Sequence, residues 1–574
     1  MNIAALLHRA LDNWCYPLDN TTLHLRLQTA ADDARSVDLV AGDPFDWRGG
    51  TWNTTTLALT KAGCDGLHDF WETTYSPPWG RTKYYFVVRG KHPGDEWIVG
   101  ERGILPAGEK DLDLPRNAFI FPYIHASDVF RAPAWVKGTV WYQIFPERFC
   151  NGDPHLNPPG TLPWGPGAVT NREFYGGDLP GITSRLDHLA DLGVNGLYMT
   201  PVFASPSVHK YDTTDYLAVD PAFGTEADLK ALVDGAHARG IRVVLDAVFN
   251  HSGLQFAPWQ DVLVRGKESA YAGWFHIHDW SELGSGKGYE TFSFARGMPK
   301  LNTQNLEVRE YLIGAAVRWT EATGIDGWRL DVSNEVDQGF WREFRTAIKA
   351  VNPEAYIVGE VWHDALRWLR GDQYDAVMNY RYGNAVSDFV LGINGVHKAS
   401  DFARTIDAID AQYPLPVLRS AFNVLDSHDT DRFITRCGGD RPRARLGWLL
   451  LFLLKGSPCV YYGSEVGMVG GQDPDNRRCM VWDPAHQDAE QFAFLKSLTA
   501  LRIGEADLIT SGTREWVLDP VFPAALGLRI TSQGKQLEAT LWRTTHPTEF
   551  PSTRGVVVLE HRGPWAYRVV LRDI

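Results

Sequence analysis

Four segments of the chain place acidic or imidazole side chains after apolar, strand-like runs. They are DAVFNH at 246–251, GWRLDVSNE at 327–335, GEVW at 359–362 and LDSHD at 425–429. A single carboxylate at a strand end is usually a helix cap or a satisfied loop residue. Four such groups on one rim would repel one another, so a purely structural role explains them poorly. Carboxylates and histidines brought together in this way supply the acid, the base and the nucleophile of many hydrolytic reactions.

The segment 327–335 carries a cation and a carboxylate two residues apart, Arg329 and Asp331, inside an apolar run. Side chains alternate between the two faces of a strand, so these residues are predicted to lie side by side on one face. A buried charge needs a partner. Taken alone, the pair is better explained as a structural ion pair than as a carboxylate prepared for catalysis, and the rest of the chain has to decide.

From about residue 138, strand-like and helix-like segments alternate. Eight strand–helix units over about 360 residues predict a (β/α)8 TIM barrel, in which the C-terminal strand ends meet and gather the catalytic groups. A doubly wound open sheet is the alternative, but it would normally carry a Gly-rich phosphate loop after its first strand, and the sequence has none there. The predicted strands are 140–149, 195–203, 241–249, 325–332, 355–361, 376–380, 421–425 and 457–462.

Amphipathic segments between these strands predict helices at 182–192, 227–239, 308–323 and 338–350, with a final helix at 488–502. Four helices are predicted to end in a glycine shortly before the next strand, where left-handed backbone stops the helix. These glycines are Gly193, Gly240, Gly324 and Gly456.

Two β-rich regions flank the predicted barrel. Residues 1–130 alternate short β-type runs with turn clusters and predict an N-terminal β-sandwich, either a carbohydrate-binding-like module or an accessory module for dimerisation. The catalytic barrel is predicted at 131–506, with 251–300 as an inserted subdomain over its C-terminal face. Residues 507–574 predict a C-terminal β-sandwich.

Composition excludes several classes of partner. The formal net charge of −14 argues against nucleic acid and anionic membranes, because both attract basic surfaces.

The N-terminus lacks the pattern of a secretory signal, and the longest apolar run, 446–454, is about half the length of a membrane span. The 6 cysteines show no metal-binding or disulfide spacing, so a cytoplasmic location with reduced thiols is predicted. No organic cofactor is expected.

The four opening segments resemble, in order, the signature regions of the α-amylase superfamily, glycoside hydrolase family 13. The resemblance extends over essentially the whole chain. Three features are typical of the neopullulanase, cyclomaltodextrinase and maltogenic amylase group, which the chain therefore resembles. They are the VSNE ending at 332–335, the MPKLN motif at 298–302 and the β-rich N-terminal region. Further matching motifs are QIFPERF at 143–149, YGGDL at 175–179, HKYDTTDY at 209–216 and MPKLN at 298–302.

This resemblance implies roles for the acidic residues. Asp331 would be the nucleophile, which its neighbour Arg329 keeps ionised and oriented. Glu360 would be the general acid and then the general base. Asp429 would be the third essential carboxylate, holding hydroxyls of the distorted sugar. Asp246 would either brace the barrel mouth or contact the sugar directly, and both readings stay open.

The resemblance also implies a set of substrate-binding side chains. His251 and His428 would donate to sugar hydroxyls, and Tyr211 would stack on the ring being cleaved. Trp362 and Glu335 would shape the acceptor side of the site.

The function implied is a retaining α-glucan hydrolase that cleaves α-1,4 bonds, with α-1,6 cleavage and transglycosylation as further activities. Cyclodextrins, maltooligosaccharides, pullulan and starch are the expected substrates. The alternative within the enzyme class is a maltodextrin glucosidase that releases glucose from chain ends. A non-catalytic glucan-binding homologue is disfavoured, since both Asp331 and Glu360 are present. By analogy with relatives, a homodimer is expected.

A loop with oxygen-rich side chains resembles a structural Ca²⁺ site of some relatives. Leu156 and Asn157 depart from the pattern, standing where a polar and an acidic side chain are common. A weak ion, bound partly through backbone carbonyls, is therefore predicted, and a turn-rich loop without metal is the alternative. The predicted ligands are Asn151, Asp153, Asn157, Gly176 and Asp178.

Overall fold

The computed structural model describes residues 1–109, 113–165, 167, 169–543, 550 and 554–574. The chain forms two compact units. One contains Met1–Arg131 together with Lys398–Leu418, and the other contains Ala132–His397 and Arg419–Ile574.

The first unit is built on two antiparallel β-sheets. Its core consists of alternate, inward-facing side chains such as Leu25, Leu27, Leu39 and Phe86, as expected for a half-buried sheet. The four-stranded sheet has the order Cys15–Pro17, Leu23–Ala30, His68–Tyr75, Thr60–Cys64. The second sheet has the order Gly103–Pro106, Glu96–Gly100, Thr82–Gly90, Ala34–Gly42, Thr55–Ala58, and Phe119–Phe121 also pairs with Thr82–Gly90.

A helix from Ala399 to Ala411 belongs to this first unit. Its Asp407 accepts a 3.0 Å hydrogen bond from the backbone N–H of Cys64. A side chain at Gly63 would collide with Asp407, because an added Cβ would lie 2.9 Å from its carboxyl carbon. Further short elements of the unit are Trp47–Arg48, Thr51–Trp52, the helix Leu114–Asn117 and the 3₁₀ helices Ile3–Ala5 and Ala126–Asp128.

The second unit contains the predicted barrel. Eight parallel strands follow one another around a ring in which the first strand pairs with both the second and the eighth. A parallel bridge between Met378 and Phe422 closes the ring between the sixth and seventh strands. The strands are Trp141–Ile144, Gly196–Met199, Arg242–Ala247, Gly327–Leu330, Tyr356–Gly359, Ala376–Val377, Phe422–Val424 and Ser457–Tyr461.

The strands are shorter than the sequence predicts, for local reasons. The first ends at Ile144 because Pro146 begins a 3₁₀ turn, Pro146–Arg148. The fourth ends at Leu330 because Val332 adopts left-handed backbone, with φ 44°. The ladder still extends one residue further, since the N–H of Asp331 donates to the carbonyl of Ala247 at 3.0 Å.

Helices cover the outside of the strands. The segment predicted as one helix at 182–192 forms two, because Arg185 leaves helical backbone between them with φ −110° and ψ 7°. The four predicted glycines all have positive φ, and Gly193 and Gly324 are left-handed helix caps. The prediction is wrong for Gly240 and Gly456, because the helices before them end earlier, at His237 and Leu453. The α-helices are Leu179–Ser184, Leu186–Leu192, Glu226–His237, Leu306–Thr323, Gln338–Val351, Tyr380–Leu391, Phe433–Arg436, Arg441–Leu453, Ala489–Gly504 and Ala506–Ser511. The helix Leu415–Ser420 begins in the first unit and ends in the second.

Two excursions and a final sheet complete the second unit. After the second strand, Phe203–Ala204 and Asp215–Val219 form a small antiparallel pair. The inserted segment after the third strand contains the helix Ala257–Arg265, whose Trp259 packs against Phe275 and Tyr289. The C-terminal strands form one five-stranded antiparallel sheet in the order Thr513–Leu518, Ala525–Ser532, Lys535–Trp542, Tyr567–Asp573, Val556–His561.

Within the described ranges, no helix has both the length and the apolar character that crossing a membrane requires.

Candidate active site

The third and fourth barrel strands bring the first acidic residues of the site together. Asp246 near the end of one strand is the direct cross-strand partner of Arg329 on the next. Asp331 follows the fourth strand and Glu360 follows the fifth, so both lie at the same rim. Because all eight strands are parallel, the convergence predicted from the four segments is a consequence of the barrel.

One buried guanidinium holds three carboxylates at this rim. Nη1 of Arg329 donates to both oxygens of Asp246, at 2.9 and 3.0 Å, and to Oδ1 of Asp331 at 2.7 Å. Nη2 forms an ion pair with Oε2 of Glu360 at 2.9 Å. The side chain of Arg329 is almost inaccessible to solvent. Three carboxylates around one cation leave an excess of negative charge in a buried place.

This excess changes the protonation of the group. Burial raises the pKa of Asp331 well above its ordinary value; Glu360 and Asp246 raise it further, while Arg329 lowers it. Burial likewise raises the pKa of Asp246, to about 6, against the opposing effect of Arg329. Asp331 and Asp246 therefore hold a proton more strongly than separate, exposed carboxylates would.

Glu360 is oriented by two further donors. The backbone N–H of Val332 donates to Oε2 at 2.9 Å, and the indole Nε1–H of Trp362 donates to Oε1 at 3.0 Å. The left-handed backbone of Val332 is uncommon for a β-branched residue, and the strain places its N–H next to Glu360. Trp362 in turn stacks on Tyr380, with ring centroids 3.6 Å apart. The carboxylate of Glu360 thus has both oxygens held.

Asp429 lies after the seventh strand and contacts a second arginine. Nη2 of Arg477 donates to its Oδ1 at 3.4 Å, and Nη1 of Arg477 pairs with Asp473 at 2.9 Å. Burial raises the pKa of Asp429, and Arg329 and Arg477 act in the opposite direction. Arg477 also donates from Nε to the carbonyl of His428 at 2.8 Å, which fixes the turn that carries both residues.

His428 connects the rim to the far side of the barrel. Its Nε2 lies 2.6 Å from the hydroxyl of Tyr211, and its Nδ1 lies 2.6 Å from Nε2 of Gln143. The Tyr211 hydroxyl donates onward to Asp246 at 3.0 Å. Burial lowers the pKa of His428 well below its ordinary value, so the imidazole is neutral near neutral pH.

His251 is neutral as well. Burial lowers its pKa to about 3. Its Nε2–H donates to the carbonyl of Tyr211 at 3.1 Å, and its ring stacks on Phe292 with centroids 5.1 Å apart. In this arrangement, the donor predicted to reach a sugar hydroxyl already has an acceptor within the protein.

A cavity of about 500 Å³ opens above the carboxylates. Seven of the predicted site residues line it, namely Tyr211, His251, Asp331, Glu360, Trp362, His428 and Asp429. Trp362 is 44% exposed, so it is a surface residue of the cavity and does not belong to the core. The cavity is also lined by Asn171, His209, Phe292, Met298, Val332, Asn334, Asp473 and Arg477.

Three predicted substrate-binding residues lie outside this lining. Asp246 and Arg329 are buried beneath it, where they brace the carboxylates and the Tyr211 hydroxyl. Glu335 is turned toward Lys300, with an ion pair of 3.0 Å. The geometry favours the bracing role for Asp246 that the sequence left open, and direct sugar contact by these three residues stays a prediction.

Two family models match the chain. The model described as "Alpha amylase, catalytic domain" matches residues 143–499, and the one described as "Alpha amylase, N-terminal ig-like domain" matches residues 1–125. The chain belongs to the α-amylase family. It is a glycoside hydrolase, and the resemblance inferred from the four motifs is confirmed.

Individual members of the α-amylase family are similar over most of their length. The chain is 49% identical over 503 residues to a cyclomaltodextrinase of Geobacillus thermopakistaniensis, covering 88% of this chain and 84% of the relative. It is 44% identical over 514 residues to a maltogenic alpha-amylase of Bacillus acidopullulyticus, covering 89% and 87%. A solved structure of a cyclomaltodextrinase superposes with a TM-score of 0.91 at 41% identity, covering 100% of this chain and 98% of that chain. This family member therefore stands among enzymes that hydrolyse α-glucans.

Several cavity residues of this α-amylase family member were not predicted. His209 and Met298 lie inside the motifs HKYDTTDY and MPKLN, so the signal was present. Gln143 does not line the cavity but contacts His428 from the first strand. It lies in the QIFPERF motif, where a polar residue in an apolar strand could have marked it. Asp473 and Arg477 follow the eighth strand in a loop without a motif, and their contact with the site is visible only in three dimensions.

The loop predicted to bind Ca²⁺ brings its residues together. Nδ2 of Asn151 donates to Oδ1 of Asn157 at 3.0 Å, and a Cβ at Gly176 would lie 2.2 Å from that Oδ1. Asp178 caps the helix Leu179–Ser184 and accepts from the N–H groups of Gly152, Asp153 and Gly181. Oδ1 of Asn151 is a buried acceptor that no donor of the described residues reaches.

Other cation sites have little support in the structure. Across the described ranges, no group of three or more His, Cys, Asp or Glu side chains is arranged to hold a metal ion. A cation in the loop would therefore depend on amide and carbonyl oxygens, together with the half-exposed carboxylate of Asp153.

Proposed function

We propose that the chain is a retaining α-glucan hydrolase that works by double displacement. The observation that carries the proposal is the sharing of Arg329 by Asp331 and Glu360. Carboxylates bound to one planar guanidinium are close neighbours, which supports the retaining arrangement of about 5–5.5 Å over the inverting one of about 6.5–9.5 Å. The proposal is retention of the α-configuration at the cleaved carbon.

The first step forms a covalent intermediate. Oδ2 of Asp331 attacks the anomeric carbon while the bond from that carbon to the glycosidic oxygen breaks. In the reactive form Asp331 is ionised and the proton lies on Glu360. Glu360 gives this proton to the departing oxygen, so the leaving sugar is released neutral. The N–H groups of Val332 and Trp362 stabilise the carboxylate that Glu360 becomes.

The second step reverses the first with water. Glu360 takes a proton from a water molecule, whose oxygen attacks the anomeric carbon, and the bond to Asp331 breaks. A sugar hydroxyl in place of water gives transglycosylation instead. Trp362 and Asn334 line the cavity. Glu335, which follows Asn334 in the chain, is proposed to shape the acceptor side through its ion pair with Lys300.

Asp429 is proposed to hold hydroxyls of the distorted sugar, with His428 donating beside it. Both residues line the cavity, and Arg477 keeps the turn that carries them in place. Tyr211 is proposed to stack on the ring being cleaved.

Cyclodextrins and maltooligosaccharides are the proposed substrates, with pullulan and starch as further candidates. The names of the relatives support this choice, since a cyclomaltodextrinase and a maltogenic alpha-amylase are among the most similar proteins. Cleavage of α-1,4 bonds, with α-1,6 bonds as a further activity, is proposed with these substrates.

A product profile tests the substrate proposal. The enzyme is incubated with β-cyclodextrin, pullulan, soluble starch and maltotriose, and products are separated by chromatography. Maltose from β-cyclodextrin and panose from pullulan are expected. Glucose alone, released from the ends of linear dextrins, would instead make the enzyme a maltodextrin glucosidase.

A homodimer is also proposed, from an aromatic patch on the first unit. Phe45, Trp47, Trp79 and Tyr123 are each about half exposed or more. The guanidinium of Arg81 lies 4.9 Å from the Phe45 ring centroid, and the ring remains 75% exposed. Exposed aromatic groups of this size usually mark an interface, and a second copy of the chain is the proposed occupant.

Light scattering of the purified chain tests the dimer. Twice the mass of 64.3 kDa is expected. Trp79→Ser with Phe45→Ser should shift the mass toward the monomer, whereas a monomeric wild type would refute the proposal.

Weak Ca²⁺ binding is proposed for the loop of Asn151 and Asn157, with Asp153 nearby. The buried, unpartnered Oδ1 of Asn151 and the space kept by Gly176 fit a hard cation. Ca²⁺ should raise the melting temperature slightly, and Asn151→Leu should abolish this shift while Asn157→Asp enlarges it. A wild-type melting temperature that does not respond to millimolar Ca²⁺ or to a chelator would refute it.

A cytoplasmic location is proposed as well. All 6 cysteines are free thiols, and five of them are buried. Free thiols suit a reducing compartment. Cell fractionation tests the proposal, and recovery of the enzyme outside the cytoplasm would contradict it.

A further inference from the structure

Gln143 lies on the first barrel strand and is completely buried. Its Nε2 lies 2.6 Å from Nδ1 of His428, which follows the seventh strand. Its Oε1 meets no hydrogen-bond donor among the described residues. The contact with Nδ1 of His428 is therefore the side-chain hydrogen bond that holds the Gln143 amide in place.

The other ring nitrogen of His428 faces acceptors. Its Nε2 lies 2.6 Å from the Tyr211 oxygen and 3.2 Å from Oδ2 of Asp429. The Tyr211 hydroxyl gives its own hydrogen to Asp246 at 3.0 Å, which leaves the Tyr211 oxygen free to accept. A carboxylate oxygen also accepts, so the hydrogen of a neutral imidazole belongs on Nε2.

We propose that Gln143 is a positioning residue that fixes the tautomer of His428, with the hydrogen on Nε2 and directed into the cavity. Donation from the Gln143 amide to Nδ1 requires that Nδ1 carry a lone pair. The opposite tautomer would turn the lone pair of Nε2 toward Asp429, where two acceptors would repel each other. The chain of donors then runs from Gln143 through His428 and Tyr211 to Asp246.

The surroundings of His428 keep the ring neutral, as the tautomer argument requires. Burial lowers its pKa most, and the neighbouring cations lower it further. Glu360 opposes them, and Asp429 is the acidic group in closest contact. The titratable and charged groups that face the ring are Arg477, Arg329, His209, Glu360, Asp429 and Tyr211.

The tautomer can be measured directly in the resting enzyme. Nitrogen NMR of ¹⁵N-histidine-labelled protein distinguishes protonated from unprotonated ring nitrogens, and the spectrum of His428→Gln identifies the signals of His428. The hydrogen is expected on Nε2 in the wild type and on Nδ1 in Gln143→Glu, because a carboxylate accepts. A wild-type hydrogen on Nδ1, or a spectrum that Gln143→Glu leaves unchanged, would overturn the proposal.

Kinetics test the consequence for catalysis, which rests on the proposed function. Gln143→Met keeps the size but donates no hydrogen bond, so kcat should fall about tenfold. In Gln143→Glu, kcat should fall about a hundredfold at pH 8. That loss should shrink toward pH 5, because the introduced carboxylate favours the imidazolium form of His428, which carries a hydrogen on both nitrogens.

A matched control separates positioning from general stability. Gln491 is also buried and accepts from Arg445 at 3.1 Å, far along the chain on an outer helix. Gln491→Met should change the melting temperature without changing the shape of the pH profile. A Gln143→Glu defect of constant size from pH 5 to 8 would count against the inference. If the wild type proves inactive on every glucan, the proposed function fails, and the NMR measurement still decides the tautomer.

Discussion

Two buried arginines of the same unit have opposite surroundings. Arg502, on the helix Ala489–Gly504, donates to the carbonyls of Phe452 and Leu454 at 3.0 and 2.9 Å, and also to that of Gly456. Arg329 is surrounded by three carboxylates. Burial lowers the pKa of Arg502 to about 9, whereas the carboxylates raise the pKa of Arg329 despite its burial.

The difference separates a structural cation from one that braces the carboxylates of the candidate active site. Carbonyl dipoles are sufficient to bury Arg502, so an arginine does not need three acids in order to be buried. At the rim, the acids outnumber the cation, and the surplus costs stability. Such a surplus is expected where carboxylates are required for chemistry, as at the end of the fourth strand.

The largest expected effect comes from removing one acid of the surplus. Asp331→Asn should lower kcat by at least about 10⁴-fold, since no covalent intermediate forms. Its melting temperature should stay the same or rise, because one of the repelling carboxylates is gone. Steady-state kinetics and calorimetry measure both quantities.

Asp326 is the matched control, since it directly precedes the strand that Asp331 follows. It pairs with His237 and Arg242, and these contacts outweigh burial and lower its pKa. Asp326→Asn should therefore reduce stability and leave kcat within a few-fold of the wild type. Loss of kcat in Asp326→Asn, or its retention in Asp331→Asn, would remove the distinction between the two ends of the strand.

Replacing each arginine tests the comparison itself. Arg329→Gln leaves three buried carboxylates without a cation, so the free energy of unfolding should fall by about 3–5 kcal/mol at neutral pH. The loss should be smaller near pH 5, where the carboxylates bind protons. Activity should be absent at both pH values.

Arg502→Gln leaves only carbonyls unpaired, and the free energy of unfolding should fall by about 1–3 kcal/mol. Its pKa of about 9 lies above the range tested, so this loss should be the same at pH 5 and pH 8. The folded fraction should retain wild-type kcat. If the loss of unfolding free energy depended on pH equally in Arg329→Gln and Arg502→Gln, the proposed difference between the two arginines would be wrong.

The smallest effect is the pH dependence of wild-type stability. Asp246, with a pKa raised to about 6, and Asp331 hold protons in the folded state that the unfolded state releases. Their contribution to stability is therefore present at low pH and is lost as pH rises through the raised values. Thermal melts of wild type and Asp331→Asn from pH 4.5 to 8 should diverge by about 1–3 kcal/mol as pH rises. A constant difference would contradict the raised pKa values.

The sequence predicted the barrel because strand and helix periods alternate eight times, and it predicted the α-amylase family because the motifs stand in order. It predicted the cluster of Asp331 and Glu360 for the same reason. The left-handed turn at Val332 has no sequence signal, since a β-branched residue disfavours it. This turn ends the strand early and supplies a donor to Glu360.

Contacts between residues far apart in the chain could not be predicted from the sequence either. Arg477 contacts Asp429 from 48 residues away, and Gln143 contacts His428 from 285 residues away. No periodicity relates such pairs; only closure of the barrel brings them together. The contact of Arg329 with carboxylates from three strands was also not predictable. Alternation along one strand places only Asp331 beside Arg329.

The configuration of the first product tests the central claim most directly. Hydrolysis of β-cyclodextrin or maltotriose is followed by proton NMR within the first minutes, before the released sugar equilibrates between anomers. The α-anomer is predicted to appear first and the β-anomer only later, by mutarotation, because the proposed double displacement by Asp331 and Glu360 retains the configuration. Initial release of the β-anomer would contradict the account.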